Sequence, residues 1–209
     1  EKEQRDALKE KMNNWGLSFS GFAQDLWSEE LLNTDDQSKY ISEFKANVDF
    51  AVDLGIKGVR VDCVQPPTIH NEVDFDILFS RLTNTWDTCI NYASDKGIYV
   101  TWEFEPGFAF NKPSYVLKVL DKLQHDNFGL MYDTCHGQML GVVGARQQGE
   151  KELVKDQIEL INKFSGRINH IHLSDSDNTC HKDADGKDET SAHPPFGDGL
   201  LDFDQIIPV

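Results

Sequence analysis

No stretch of the sequence approaches the roughly 18 uninterrupted apolar residues of a membrane span. Cysteine is scarce, with four in 209 residues (Cys63, Cys89, Cys135 and Cys180) and no CxxC spacing. That excludes a disulfide scaffold and a thiolate zinc site, and makes reduced thiols the expectation. Positive charge is short as well: 20 Lys and Arg face 36 Asp and Glu, a formal net charge of -16. Such a field repels a polyanion, and no local basic patch overcomes it, which argues against a nucleic-acid partner. Neither GxGxxG nor GxxxxGKS/T follows any strand-like run, so the common phosphate-cradling loops are missing. There is no Gly-, Ser- or Pro-rich linker, and residues 1–209 read as one domain.

The composition still allows a substantial core, since 39% of the residues are hydrophobic. The N-terminal EKEQRDALKEKMNN is a charged helical run, unlike a signal peptide. A cytoplasmic protein without membrane contact is expected. The chain begins without Met and stops at FDQIIPV as another helix starts, so it is expected to be part of a longer natural protein.

From residue 38 onward helical periodicity and β-rich runs alternate, which is βα grammar. Tyr40, Ile41, Phe44, Val48, Ala51 and Val52 line one helical face, with Asp35 or Asp36 as N-cap and Gly55 as stop, and GVRVDC follows as a strand. Leu78, Leu82, Trp86, Cys89, Ile90 and Ala93 form a second stripe ahead of IYVTWEFE. Pro113 opens a third helix carrying Val116, Leu117, Leu120 and Leu123, followed by FGLMYDTCH. A fourth helix with Leu153, Val154, Ile158, Ile161 and Phe164 leads into RINHIHLSDSD. WGLSFSGFAQDLW supplies one more strand after a helix over residues 2–13.

About five parallel strands result, in a closed barrel or an open doubly wound sheet. The missing phosphate loops and the polar residues at several strand ends favour an α/β fold of the (β/α)8 TIM barrel class, incomplete here, with the first and last strands missing. The polar stretch 174–193 is long enough to be either functional or disordered.

Three consecutive βα units each end a strand in a residue able to bind metal: Glu103, Asp133 and His172. A barrel would bring these tips to one point. Two oxygen ligands and one imidazole suit Mn²⁺, Mg²⁺ or Co²⁺. Glu105, two residues beyond Glu103, shares its side of an extended strand and is an alternative ligand. Asp175 is a candidate to orient His172 or a substrate hydroxyl. Phe108 and Phe110, after Glu103, are candidates to line a pocket. His170 reads as packed or supporting, and His70, His125 and His181 lack a motif.

YVTWEFEPG, the DTxH pattern in YDTCH, HIHLSDSD and SAHPPFGDG together cover residues 97–204 and resemble the xylose isomerase-like barrels. That family includes sugar epimerases, sugar phosphate isomerases, inosose dehydratases and endonuclease IV. The resemblance implies Glu103, Asp133 and His172 as metal ligands, with Mn²⁺ the leading ion and Zn²⁺ a further option. Counting from Gly97 favours Glu103 over Glu105. The resemblance also implies that His136 contacts substrate and that His193 faces substrate, as in the sugar enzymes, or binds metal, as in endonuclease IV, with Glu105, Asp175 and Phe108 joining the substrate candidates from the reading of the residues. The last Glu of the family's site has no counterpart in residues 1–209. The chemistry implied is an isomerase or epimerase acting on a small carbohydrate, in which Glu103 is one of two opposed glutamates flanking a metal-stabilised enediolate. The same apparatus serves a lyase or dehydratase on an inosose or 3-oxo-glycoside. A non-catalytic sugar-binding or subunit-interface barrel is the reading of a different class, and a homo-oligomer is left open.

Overall fold

A computed structural model describes residues 2–209. Its centre is a five-stranded parallel sheet of β1 (Phe22–Ala23), β2 (Gly58–Val61), β3 (Tyr99–Glu103), β4 (Phe128–Asp133) and β5 (Ile168–His172), ordered β1-β2-β3-β4-β5. Sequential order with helical crossovers is the arrangement of a TIM barrel, here part of one. The crossovers are α2 (Ser38–Leu54), α3 (Phe75–Asp95), α4 (Pro113–Lys122) and α6 (Gln157–Lys163), and α1 (Lys2–Asn14) precedes β1. Among the described residues no helix is long and apolar enough to cross a membrane.

Alternation along the strands sorts two faces. Val59, Val61, Val100, Trp102, Leu130 and Tyr132 are buried on the helix side, joined there by Leu78, Leu82, Trp86, Ile90 and Ala93 of α3. The rings of Trp86 and Trp102 meet edge to face at 5.4 Å, and Trp86 Nε1 donates to Tyr40 Oη at 3.1 Å. Arg60, Thr101, Met131 and His170 line a cavity on the barrel-interior side. At the base of β2 the Tyr99 ring lies over Gly58: a Cβ there would stand 2.2 Å from Tyr99 Cζ, so a side chain would have to displace that ring.

Several local expectations shift. Neither Asp35 nor Asp36 is the N-cap of α2; that place is taken by Gln37, which makes no capping bond, while Asp36 still accepts from Ser38 N at 2.9 Å. Val52 is exposed rather than inward. Leu153 and Val154 precede the fourth helix, because Asp156 caps it by accepting from Glu159 N, and Glu159 in turn accepts from Lys155 N. After β4 comes α5 (Thr134–Gly137), continuing into a π-helical turn over Gln138–Val143. Most of the polar stretch is ordered as a hairpin of β6 (Cys180–Lys182) and β7 (Asp188–Ser191), and α7 (Phe203–Ile206) lies near the end.

Candidate metal centre

Parallel pairing puts every strand's C-terminal end on one rim, and register sets the depth of each side chain. Asp133 pairs with His172, while Glu103 stands level with Met131 and His170 one step below. His172 Nδ1 lies 2.9 Å from Glu103 Oε1 and 3.8 Å from Asp133 Oδ2. Glu103, Asp133 and His172 each offer a ligand atom, all within 4.8 Å of one another; Asp133, His136 and His193 form a second such set sharing Asp133.

Asp133 has two duties. Its Oδ1 caps α5 by accepting from Cys135 N at 2.8 Å and His136 N at 3.0 Å, and its Oδ2 accepts from Ser174 Oγ at 2.7 Å. Glu103 has both oxygens engaged, Oε1 by His172 and Oε2 by Arg60 Nη1. Burial alone would raise its pKa, but the His172 hydrogen bond and the Arg60 charge outweigh it and hold the carboxyl below its ordinary range. The same bond to Glu103 raises His172.

Glu105 lies just past the end of β3, buried, with Oε2 accepting from Thr190 Oγ1 at 2.5 Å and Oε1 3.9 Å from His136 Nε2. Burial pushes its pKa up to about 7 against the Thr190 bond, with help from the neighbouring Asp62 and Glu103 charges. His136 is pushed down to about 4 by burial and is neutral; its Nδ1 meets Ser191 Oγ at 2.9 Å. The β6–β7 hairpin therefore closes over the rim through Thr190 and Ser191.

Asp175 is buried, with its carboxylate bonded to the turn that follows it. Its carboxylate accepts backbone N–H bonds from Ser176, Gly197, Gly199 and Leu201, at 2.8 to 3.3 Å, and so shapes the PFGDG turn. Phe110 belongs to the core, and Phe108 is buried edge to face against the half-exposed Trp27 at 5.8 Å. His170 faces the barrel interior with its ring 5.5 Å from that of His172.

Two residues the sequence reading passed over join the centre from β2 and just after it. Arg60 pairs with Glu103 and, through Nη2, with Asp62 Oδ2 at 3.0 Å; Trp27 Nε1 donates to the same Asp62 oxygen at 2.9 Å. Their signal was an arginine between two valines in GVRVD, a charge in an otherwise apolar strand. Burial raises the Asp62 pKa to about 6 despite Arg60. Asp62 Oδ1 is buried with no hydrogen-bond partner. Asp62, Glu103, Glu105 and Asp133 are all buried, and Arg60 is the arginine set among them. The donor set of two carboxylates and an imidazole in Glu103, Asp133 and His172 fits a divalent cation.

The family model of the xylose isomerase-like TIM barrel matches residues 1–209. The chain belongs to this family. An inosose dehydratase of Geobacillus thermodenitrificans is 22% identical over 80% of the chain, and one of Clostridium beijerinckii 23% identical over 88%. The chain spans 54% and 62% of the lengths of these two curated relatives. Among solved structures, a D-tagatose 3-epimerase-like protein superposes with a TM-score of 0.75 at 16% identity, covering 98% of this chain and 70% of its own.

Proposed function

We propose that the protein containing this chain is a divalent-metal-dependent enzyme that removes a proton next to the carbonyl of a small, sugar-like substrate and returns it, as an isomerase or epimerase. The observation that carries this reading is the convergence of Glu103, Asp133 and His172 on one rim, from three strands. When bound there, Mn²⁺ or a similar cation would polarise the carbonyl and offset the charge that builds up on its oxygen. Glu103, Asp133 and His172 would hold it.

The proton-transfer role expected of Glu103 fits Glu105 better. Both Glu103 oxygens are engaged, by Arg60 and His172, whereas Glu105 is a second buried carboxyl beside the candidate ligands, with one oxygen bonded to Thr190 and the other 3.9 Å from His136. His136, bonded to Ser191, and His193, whose Nε2 lies 3.8 Å from Asp133 Oδ1, are the imidazoles beside the centre that this reading assigns to substrate hydroxyls. A cytoplasmic setting fits four cysteines that are all free thiols.

Dehydration is the second reading, and one buried carboxyl such as Glu105 can serve it: the proton it takes from the carbon is handed to the departing hydroxyl, which leaves as water. The two curated relatives are themselves named as dehydratases of an inosose. The test is to incubate the full-length natural protein with Mn²⁺ and a panel of ketoses and inososes in D₂O. Deuterium at the carbon next to the carbonyl supports the shared chemistry, and the products separate isomer from dehydrated ketone. No exchange with any panel member would overturn the reading.

A further inference from the structure

Arg60 sits beneath the rim, and what it does to Glu103 goes beyond ion pairing. Its Nη1 donates to Glu103 Oε2, while Glu103 Oε1 is the oxygen turned toward His172. The guanidinium is itself held by Asp62, which Trp27 anchors in turn. Arg60 has a side-chain exposure of 19% and Asp62 of 4%, so this brace is not a loose surface pair. One oxygen of Glu103 is thus held by a fixed cation, and the other, turned toward His172 of the same candidate ligand set, is the one available to an ion that takes the place of the His172 bond.

We infer that Arg60 is a specificity-determining positioning residue, which restricts Glu103 to one-oxygen ligation and so selects small octahedral cations over large ones such as Ca²⁺. The chemistry behind this is general. Ca²⁺ takes 6 to 8 oxygen contacts in flexible geometry and readily accepts both oxygens of one carboxylate, whereas Mg²⁺ and ions of similar size demand six near-octahedral contacts, which one-oxygen carboxylates suit. Asp133 cannot compensate by turning, because its oxygens carry the α5 cap and the Ser174 bond. Removing Arg60 would free Glu103 Oε2 without touching a ligand. Loss of its positive charge strengthens binding of any divalent cation alike, so the ratio of two affinities isolates the geometric effect.

This inference rests on the metal centre proposed above, and its experiment reads metal binding alone. Mn²⁺ and Ca²⁺ dissociation constants are measured by titration calorimetry on the chelator-stripped, full-length natural protein, R60M, R60K and R60M/D62N. The double variant removes the Asp62 charge that R60M leaves buried and unpaired, and it decides the matter if R60M fails to fold. The wild type should prefer Mn²⁺, R60M and R60M/D62N should shift the ratio toward Ca²⁺ by about 10-fold or more, and R60K should largely restore it. Folded variants whose ratio stays within about 3-fold of the wild type would overturn the inference while leaving the metal centre intact. A wild type that binds neither ion would overturn the centre, and the inference with it.

Discussion

Thr190 on β7 donates to Glu105 Oε2 at 2.5 Å, fastening the hairpin to the carboxyl two residues beyond the tip of β3. Glu105 has its pKa pushed up to about 7, so in the metal-free protein the fold favours its protonated form. Its contribution to stability is complete below the ordinary carboxyl range near pH 4 and is lost as pH rises through about 7. E105Q should flatten that part of the dependence of melting temperature on pH. In the metal-loaded, full-length enzyme E105Q should lower kcat by about 10²- to 10⁴-fold with a smaller effect on KM. T190V removes the bond that opposes the shift and should move the Glu105 ionisation to higher pH. Wild-type pH profiles in both variants would count against the role.

Metal binding should depend on the strand-tip ligands. H172N and D133N should each weaken Mn²⁺ binding by at least about 100-fold, since loss of a supporting partner alone costs about 10- to 100-fold. The asparagine amide oxygen can keep the α5 cap, so D133N should leave the far-ultraviolet circular dichroism unchanged. Calorimetric titration beside a thermal melt separates loss of metal from loss of fold.

Asp175 should act on the turn and not on substrate. D175A strands several backbone N–H groups and should cost about 1 to 3 kcal/mol in stability. Limited proteolysis should then open residues 193–201 ahead of the sheet. A large KM effect with an intact turn would return Asp175 to the substrate site.

At the base of the sheet, G58A should destabilise by about 1 to 3 kcal/mol through its clash with the Tyr99 ring. The same substitution should cost less in a Y99V background. A double-mutant cycle from denaturant melts reads the coupling, and additive effects would mean the clash is relieved elsewhere.

Much of the fold could be read from periodicity. The Leu78-to-Ala93 stripe is buried throughout, as a long helix with an uninterrupted apolar face allows. Boundaries fared less well where short-range hydrogen bonding decided them. Asp156 starts α6 after Leu153 and Val154, although both extend the apolar pattern. The three strand-end residues were legible because barrel topology converts separate strand ends into one place. Arg60, Asp62, Thr190 and Ser191 were not, since their partners lie 2 to 85 positions away in the chain and only packing brings them together. Asp175 shows the reverse: a motif-like aspartate whose carboxylate is used up by backbone amides.

Asp133 closes the first turn of α5 with the same carboxylate that joins the candidate metal set. The Cys135 and His136 amides are therefore built-in reporters of the centre. An ion held only by the folded chain stabilises that chain by mass action. Hydrogen–deuterium exchange at these two amides should slow when Mn²⁺ is added and quicken when a chelator removes it, letting occupancy be followed with no substrate present.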